Sequence, residues 1–302
     1  MQVNKKIRRQ LKYLLVRLLI QTFSALPRSF CLWLAKALAP VAWHLLPKER
    51  DKVLFNLRLI FPEHKDHKAL GLEIYRNLAL NAVDTVKIPG LPLEELDRMV
   101  VLHGLEHFDA AYKSGQGLVA ITGHIGCWEL MPVWFSRHGY KISVIGKRMY
   151  DPRMDDIVLN MRSGQGIQVI DRDTGAKEAL KALHSGHALG ILIDQDTRVS
   201  SVNAEFFGHQ AKTPTGAAAL AARAGSAVIP MAIQRDKQGI HHLYVRPPLA
   251  PSELTDVEAS GPGGRVLKED VQRHTSALEE LIKQDVTQWV WMHLRWLEKP
   301  NA

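Results

Sequence analysis

GLVAITGHIGCWE, running from Gly117 to Glu129, is the stretch that decides the fold. Gly117–Thr122 is a short apolar run of strand character. Gly123, His124 and Gly126 then interrupt it, and helical spacing takes over across 126–138. The stretch therefore reads as strand, tight turn, helix. Outward from it the alternation repeats. Strands are expected at 142–146, 167–170, 188–194, 227–235 and 241–246. Helices are expected at 153–162, 175–184 and 215–224, with a long last helix over 266–297 after a Gly261–Gly264 loop. Upstream, 47–97 is helical in pattern, broken at Pro62 and at Pro89-Gly90-Leu91-Pro92. The alternation predicts an α/β fold, a mixed sheet flanked by helices, as one domain over 47–302.

Composition sets the outer limits. The 302 residues are 46% hydrophobic and 23% charged, which excludes disorder and collagen-like order. Two cysteines, Cys31 and Cys127, exclude a disulfide scaffold and suit a reducing compartment. No Cys/His grouping has zinc spacing, so no metal is expected. The net charge of +8 is unevenly placed. Residues 1–58 carry 12 Lys/Arg against Glu49 and Asp51, which leaves the remainder slightly acidic. Such a basic arm suits a phosphate-rich partner.

Residues 1–46 read as membrane-associated helices. The apolar stretch 13–26 is too short for a clean span and contains Arg17 and Gln21. Lys6, Gln10, Arg17, Gln21, Ser24 and Arg28 fall on one helical stripe. Leu11, Leu14, Leu15, Leu18, Leu19 and Leu26 fall on another. That is the pattern of a helix lying in a membrane interface; a helix packed on its own core is the alternative. The aromatics of the arm are interleaved with Leu rather than Lys/Arg, and no nucleic-acid motif is present, so lipid is favoured over nucleic acid.

A histidine and a carboxylate five residues apart can make a base and its orienting partner. The chain has four such pairs, His44/Glu49, His124/Glu129, His274/Glu279 and His293/Glu298, so spacing alone does not choose. Context selects His124. It follows a strand directly, is flanked by glycines that permit a tight turn, and stands where sheet ligands bind, outside the carboxyl end of a strand. Arg148 after the 142–146 strand and Asp194-Gln195-Asp196 after the 188–194 strand are further candidates: a base suited to an anionic ligand, and acids able to order an arginine. No Gly-x-Ser-x-Gly elbow and no P-loop occur.

Taken together, six blocks resemble the lipid A biosynthesis (late) acyltransferase family, within the glycerolipid acyltransferase superfamily. They are Asn56-Leu57 with Phe61-Pro62-Glu63, Gly117–Glu129, the Arg148 segment, Asp194-Gln195-Asp196, Phe206-Phe207-Gly208 with Thr213-Pro214, and Gln288–Trp296. Cys127 departs from the Asn found there in many members. The resemblance implies transfer of a fatty acyl chain, without a cofactor, from acyl carrier protein or acyl-CoA to a hydroxyl of a lipid A precursor. It implies His124 as general base, Glu129 fixing its tautomer, and Arg148 and Arg162 on substrate with Asp194 and Asp196 ordering the arginine. It also implies the cytoplasmic face of the inner membrane. The open alternatives are the same transfer to another glycolipid or an aminolipid, thioester hydrolysis, and a non-catalytic lipid-binding membrane protein.

Overall fold

A computed structural model describes residues 2–195, 199–249 and 265–299. Four helices come first: α1 (Gln2–Ala25), α2 (Arg28–Leu45), α3 (Pro47–Ile60) and α4 (His67–Lys87). Pro47 sits in the first turn of α3, where its missing N–H would have no partner anyway. After α5 (Leu93–Met99) come β1 (Val100–His103), α6 (Leu105–Lys113), β2 (Leu118–Thr122) and α7 (Leu130–Arg137). Next are β3 (Ile142–Gly146), α8 (Pro152–Ser163), β4 (Gln168–Asp171), α9 (Ala176–His184) and β5 (Ala188–Leu192). A hairpin follows, β6 (Ser201–Phe206) with β7 (His209–Pro214). Then come α10 (Gly216–Ala224), β8 (Ala227–Arg235), β9 (His241–Val245) and α11 (Arg265–Lys283).

Among the described residues seven strands form one sheet, ordered β1-β9-β8-β2-β5-β3-β4. All neighbours are parallel except β8 and β9, so the sheet is mixed, as the sequence predicts. Alternate side chains of the central strands enter two cores, one on each face. Val119, Ile121, Leu189 and Ile191 pack toward α9, α10 and the C-terminal tryptophans. Leu118, Ile142, Val144 and Ile229 pack toward α6 and α7.

β1 and α6 stand where the sequence pattern marks no element, and three further elements differ from expectation. The β6–β7 hairpin turns on Phe207 and Gly208, both at positive φ (52° and 75°), as a two-residue hairpin loop requires. α7 begins at Leu130, four residues later than the apolar spacing suggests. The last helix stops at Lys283; beyond it Trp289, Trp291 and Trp296 leave the helix pattern and insert into the core, each at most 1% exposed. The expected Gly261–Gly264 loop lies outside the described residues.

α2 is tied to α4 by Arg28, whose Nε and Nη2 donate to the Asp84 carboxylate at 2.8 and 3.1 Å. α1 is apolar on opposite sides. Tyr13, Val16, Ile20 and Phe23 are half-buried toward the protein. Ile7, Leu11, Leu14 and Leu18, on the far side at 100° per residue, are exposed, Leu11 and Leu18 each by 60%. Among the described residues no single helix is long and apolar enough to cross a membrane; α2 and α3 qualify only as a pair bent by 91°.

Candidate active site

The sheet brings the site together along one edge. Thr122 of β2 pairs in register with Leu192 of β5, and Gly146 of β3 with Asp171 of β4. His124, Asp194 and Arg148 therefore leave the sheet side by side at the carboxyl ends of adjacent strands, about 5 Å apart per strand.

His124 is held by Asp194, not by Glu129. Its backbone N–H donates to Asp194 Oδ2 (2.8 Å), and its Nδ1 lies 3.0 and 3.1 Å from the two carboxylate oxygens. Trp289 Nε1 donates a further bond to Oδ2 (2.9 Å). A carboxylate only accepts, so Nδ1 carries the proton and Nε2 keeps its lone pair. Gly123 makes room: a Cβ there would stand 3.1 Å from the Asp194 Cγ. Gly126 has φ 55°, and a Cβ on it would strike the Ile233 carbonyl, so the turn needs glycine twice over.

Burial pushes the His124 imidazole down, but the Asp194 carboxylate more than reverses this, and the pKa lies above its ordinary 6.5. Burial alone would raise Asp194; the His124 charge and hydrogen bonds, with Trp289, hold it far below the usual carboxylate range.

Glu129 faces the other way. Because α7 starts late, residues 124–129 form an irregular turn, and Glu129 meets Arg162 of α8 in a two-pronged ion pair. Nε to Oε2 is 3.0 Å and Nη2 to Oε1 is 2.6 Å, with side-chain exposures of only 17% and 11%. Trp128 Nε1 also donates to Glu129 (3.1 Å). Arg148 is ordered by Asp155 (3.0 Å) and Asp171 (3.6 Å) rather than by Asp194. Asp196 lies outside the described residues. The expected pairing is thus exchanged: the acid read as an arginine's partner serves the histidine, and the acid read as the histidine's partner serves an arginine.

Two residues were not assigned from sequence. Trp289 reaches Asp194 from beyond α11. Gln195 donates from Nε2 to His293 Nε2 (2.6 Å) and stands 2.9 and 3.3 Å from His124 Nδ1 and Nε2. The C-terminal segment grips the His124 turn through its backbone as well: Gly126 N–H donates to the Gln288 carbonyl (2.9 Å) and Val290 N–H to the His124 carbonyl (3.2 Å). The amides of His124, Ile125 and Gly126 are all occupied, which removes them as oxyanion donors.

Two spaces meet here. A cleft of about 2720 Å³, open mouth included, is lined by His124, Arg148, Asp155, Arg162 and Gln195. A narrower apolar space runs between sheet and α7, lined by Phe108, Ala120, Met131, Phe135, Val144 and Met231. Trp128, Glu129 and Arg162 border both. Among the described residues no group of three or more His, Cys, Asp or Glu is placed to hold a metal ion.

Comparison with known proteins finds acyltransferases. Phosphatidylinositol mannoside acyltransferases are 28% identical over 141 residues in Mycobacterium tuberculosis, covering 45% of this chain and 44% of that one. The one in Mycolicibacterium smegmatis is 21% identical over 152 residues, covering 49% and 50%. The chain thus spans about half the length of these curated relatives. The crystal structure of the 1-acyl-sn-glycerophosphate acyltransferase PlsC from Thermotoga maritima matches 84% of this chain and 99% of that one, at 14% identity and a TM-score of 0.37. The family model for bacterial lipid A biosynthesis acyltransferases matches residues 2–298, and the chain belongs to that family.

Proposed function

We propose that this acyltransferase moves a fatty acyl chain from a thioester donor, acyl carrier protein or acyl-CoA, to a hydroxyl of a phosphorylated glycolipid, a lipid A precursor. The observation that carries the reading is His124, with Nδ1 fixed by Asp194, on a cleft that meets an apolar space at Trp128, Glu129 and Arg162. The acceptor hydroxyl attacks the thioester carbonyl as its proton passes to His124 Nε2. The imidazolium is stabilised by Asp194. The tetrahedral intermediate then collapses, expelling the thiolate, which takes the proton from His124. The products are an ester and a free thiol, and no cofactor is consumed. Arg162, kept charged and aimed by Glu129, is the group nearest the junction that can steady the carbonyl oxygen as it gains charge. Arg148, exposed at the cleft, suits an acceptor phosphate.

The names of the mycobacterial relatives support a second acceptor, a mannosylated phospholipid, for the same chemistry. For both, the outer leucine stripe of α1 flanked by Arg8, Lys12 and Arg17 suits an anionic lipid surface, on the cytoplasmic face of the inner membrane where acyl carrier protein is met. The test is a mass-spectrometric assay in which acyl carrier protein loaded with C12, C14 or C16 chains is offered with a tetra-acylated lipid A precursor, or with the mannolipid. A gain of one acyl chain, lost in His124→Ala, is expected. Free fatty acid without an acylated product would make the protein a thioesterase and defeat the reading. Leu11→Glu/Leu18→Glu is expected to abolish sedimentation with anionic vesicles while leaving the circular dichroism spectrum unchanged; retained sedimentation would refute the surface assignment.

A further inference from the structure

A chain of contacts runs from α1 to the cleft, and the transfer chemistry uses only its last member. The Arg9 guanidinium lies over the Tyr150 ring, 4.3 Å from its centroid, and the Arg153 guanidinium over Tyr13 at 4.5 Å. Arg153 Nη1 also donates to the Gln10 side chain. Behind Arg153 stands Asp151, which accepts from its Nε (3.0 Å) and Nη2 (2.7 Å) and, at 3.2 Å, from the Arg153 backbone N–H at the start of α8. One turn further, Asp155 accepts from the Met149 N–H (2.9 Å) and from Arg148 Nη1 (3.0 Å). Arg148, Met149 and Asp155 line the cleft. The loop 147–151 is therefore held from two sides, by the first turn of α8 and by α1.

Tyr150 makes the dependence on α1 plain. It is 81% exposed, and its ring contact is the Arg9 guanidinium. Tyr13 is on the inner side of α1, opposite the exposed stripe of Ile7, Leu11, Leu14 and Leu18. One face of the helix can thus rest on lipid while the other grips the loop.

We propose that α1 is a positioning element of the substrate site. Seated on an anionic lipid surface, it holds the 147–151 loop, and with it Arg148, at the cleft, so that the phosphate of a lipid acceptor meets an ordered guanidinium. Tyr13, Tyr150, Arg9 and Arg153 are the positioning residues. Exposed cation–π contacts are individually weak, and they hold a loop only when one partner is already immobilised; a helix bound to lipid is so immobilised. The proposal rests on the lipid-surface reading above.

The test compares Tyr13→Leu/Tyr150→Leu with Tyr13→Phe/Tyr150→Phe. Leucine keeps apolar bulk and removes the ring face; phenylalanine keeps the ring and removes the hydroxyl. Acyl transfer is measured with a phosphorylated lipid acceptor in phosphatidylglycerol/phosphatidylethanolamine vesicles. The leucine pair is expected to raise acceptor KM about tenfold, as the loss of two such contacts implies, with kcat nearly unchanged. The phenylalanine pair is expected to match wild type, and both pairs to bind vesicles equally. A leucine pair with wild-type KM, or one whose deficit is fully accounted for by weaker vesicle binding, overturns the proposal. Should the wild-type protein transfer nothing to the acceptor, the acceptor reading fails, and the latch is judged by amide exchange of 147–151 on the same vesicles. Faster exchange in the leucine pair supports it, and unchanged exchange overturns it.

Discussion

Asp194→Asn is the substitution that most directly tests how His124 is held. Asp194 receives three donors: the His124 backbone N–H, His124 Nδ1 and Trp289 Nε1. Asparagine keeps one acceptor oxygen and brings two donor hydrogens, so whichever way the amide is turned a donor faces a donor. A hydrogen bond to a charged group is worth about 1.5–3 kcal/mol, and breaking a buried ion pair costs roughly 3–5 kcal/mol, so a stability loss of a few kcal/mol is expected in a chemical denaturation series. The larger effect is on the base. An amide N–H opposite Nδ1 favours the tautomer with its proton on Nε2, the atom that must accept one. The equivalent change in the serine-protease triad lowers kcat about 10⁴-fold, and a loss of 10³ to 10⁴ is expected in a thiol-release assay.

The pH dependence carries the sign. In the wild type the imidazole pKa is above 6.5, so the acidic limb of kcat/KM lies above pH 6.5 and activity rises as the base loses its proton. Without the carboxylate, burial dominates and the limb moves below 6.5. In stability terms the raised His124 contributes below pH 6.5 and loses its contribution as pH rises through its folded value. The lowered Asp194 contributes above 3.8 and loses its contribution as pH falls. A folded Asp194→Asn protein within tenfold of wild-type kcat, with an unmoved acidic limb, would refute the assignment of Asp194 as the partner of His124.

Glu129→Gln leaves Arg162 without its carboxylate; kcat/KM is expected to fall about 100-fold with the acidic limb near its wild-type place, and a limb displaced as far as in Asp194→Asn would return the histidine to Glu129. Cys127 is fully buried and its thiol is pushed up to about 12, chiefly by that burial, so native protein at pH 8 should resist iodoacetamide at this site and show no acyl-enzyme mass during turnover. Ala120→Leu narrows the apolar space at a cost of about 1–3 kcal/mol, and product analysis with mixed chain lengths should shift toward shorter chains; an unchanged product pattern would place the acyl chain elsewhere.

Much of the sheet is readable from local pattern. Leu118–Thr122, Ile142–Gly146 and Ala227–Arg235 are apolar runs closed by turn signals, and strands form there. His124 is readable too, because a glycine-flanked histidine directly after a buried strand has a definite place at the sheet edge. The partner of His124 was not readable, because it is fixed by strand order. β5 lies beside β2 although β3 and β4 come between them in the chain, and that crossover sets Asp194 against His124 across 70 residues. Glu129 was misassigned because the turn after His124 consumes residues that apolar spacing counts as helix. The long final helix was overextended because the amphipathic pattern of α11 continues into Trp289 and Trp291, which serve the core rather than a helix face. The inner side of α1 packs on the protein and its outer side is exposed.

The grip of the Gln288–Trp296 segment on the His124 turn has a consequence for the order in which the molecule is made. Trp289 lies 95 residues beyond Asp194, so at about 5–20 residues per second the ribosome needs roughly 5–20 s after making Asp194 to supply its third donor. Until then the buried carboxylate lacks that donor and the His124 turn lacks the backbone that clamps it. α1 is synthesised before any of these residues. The outer stripe of α1 is therefore complete well before the Gln288–Trp296 segment can close on the turn at His124.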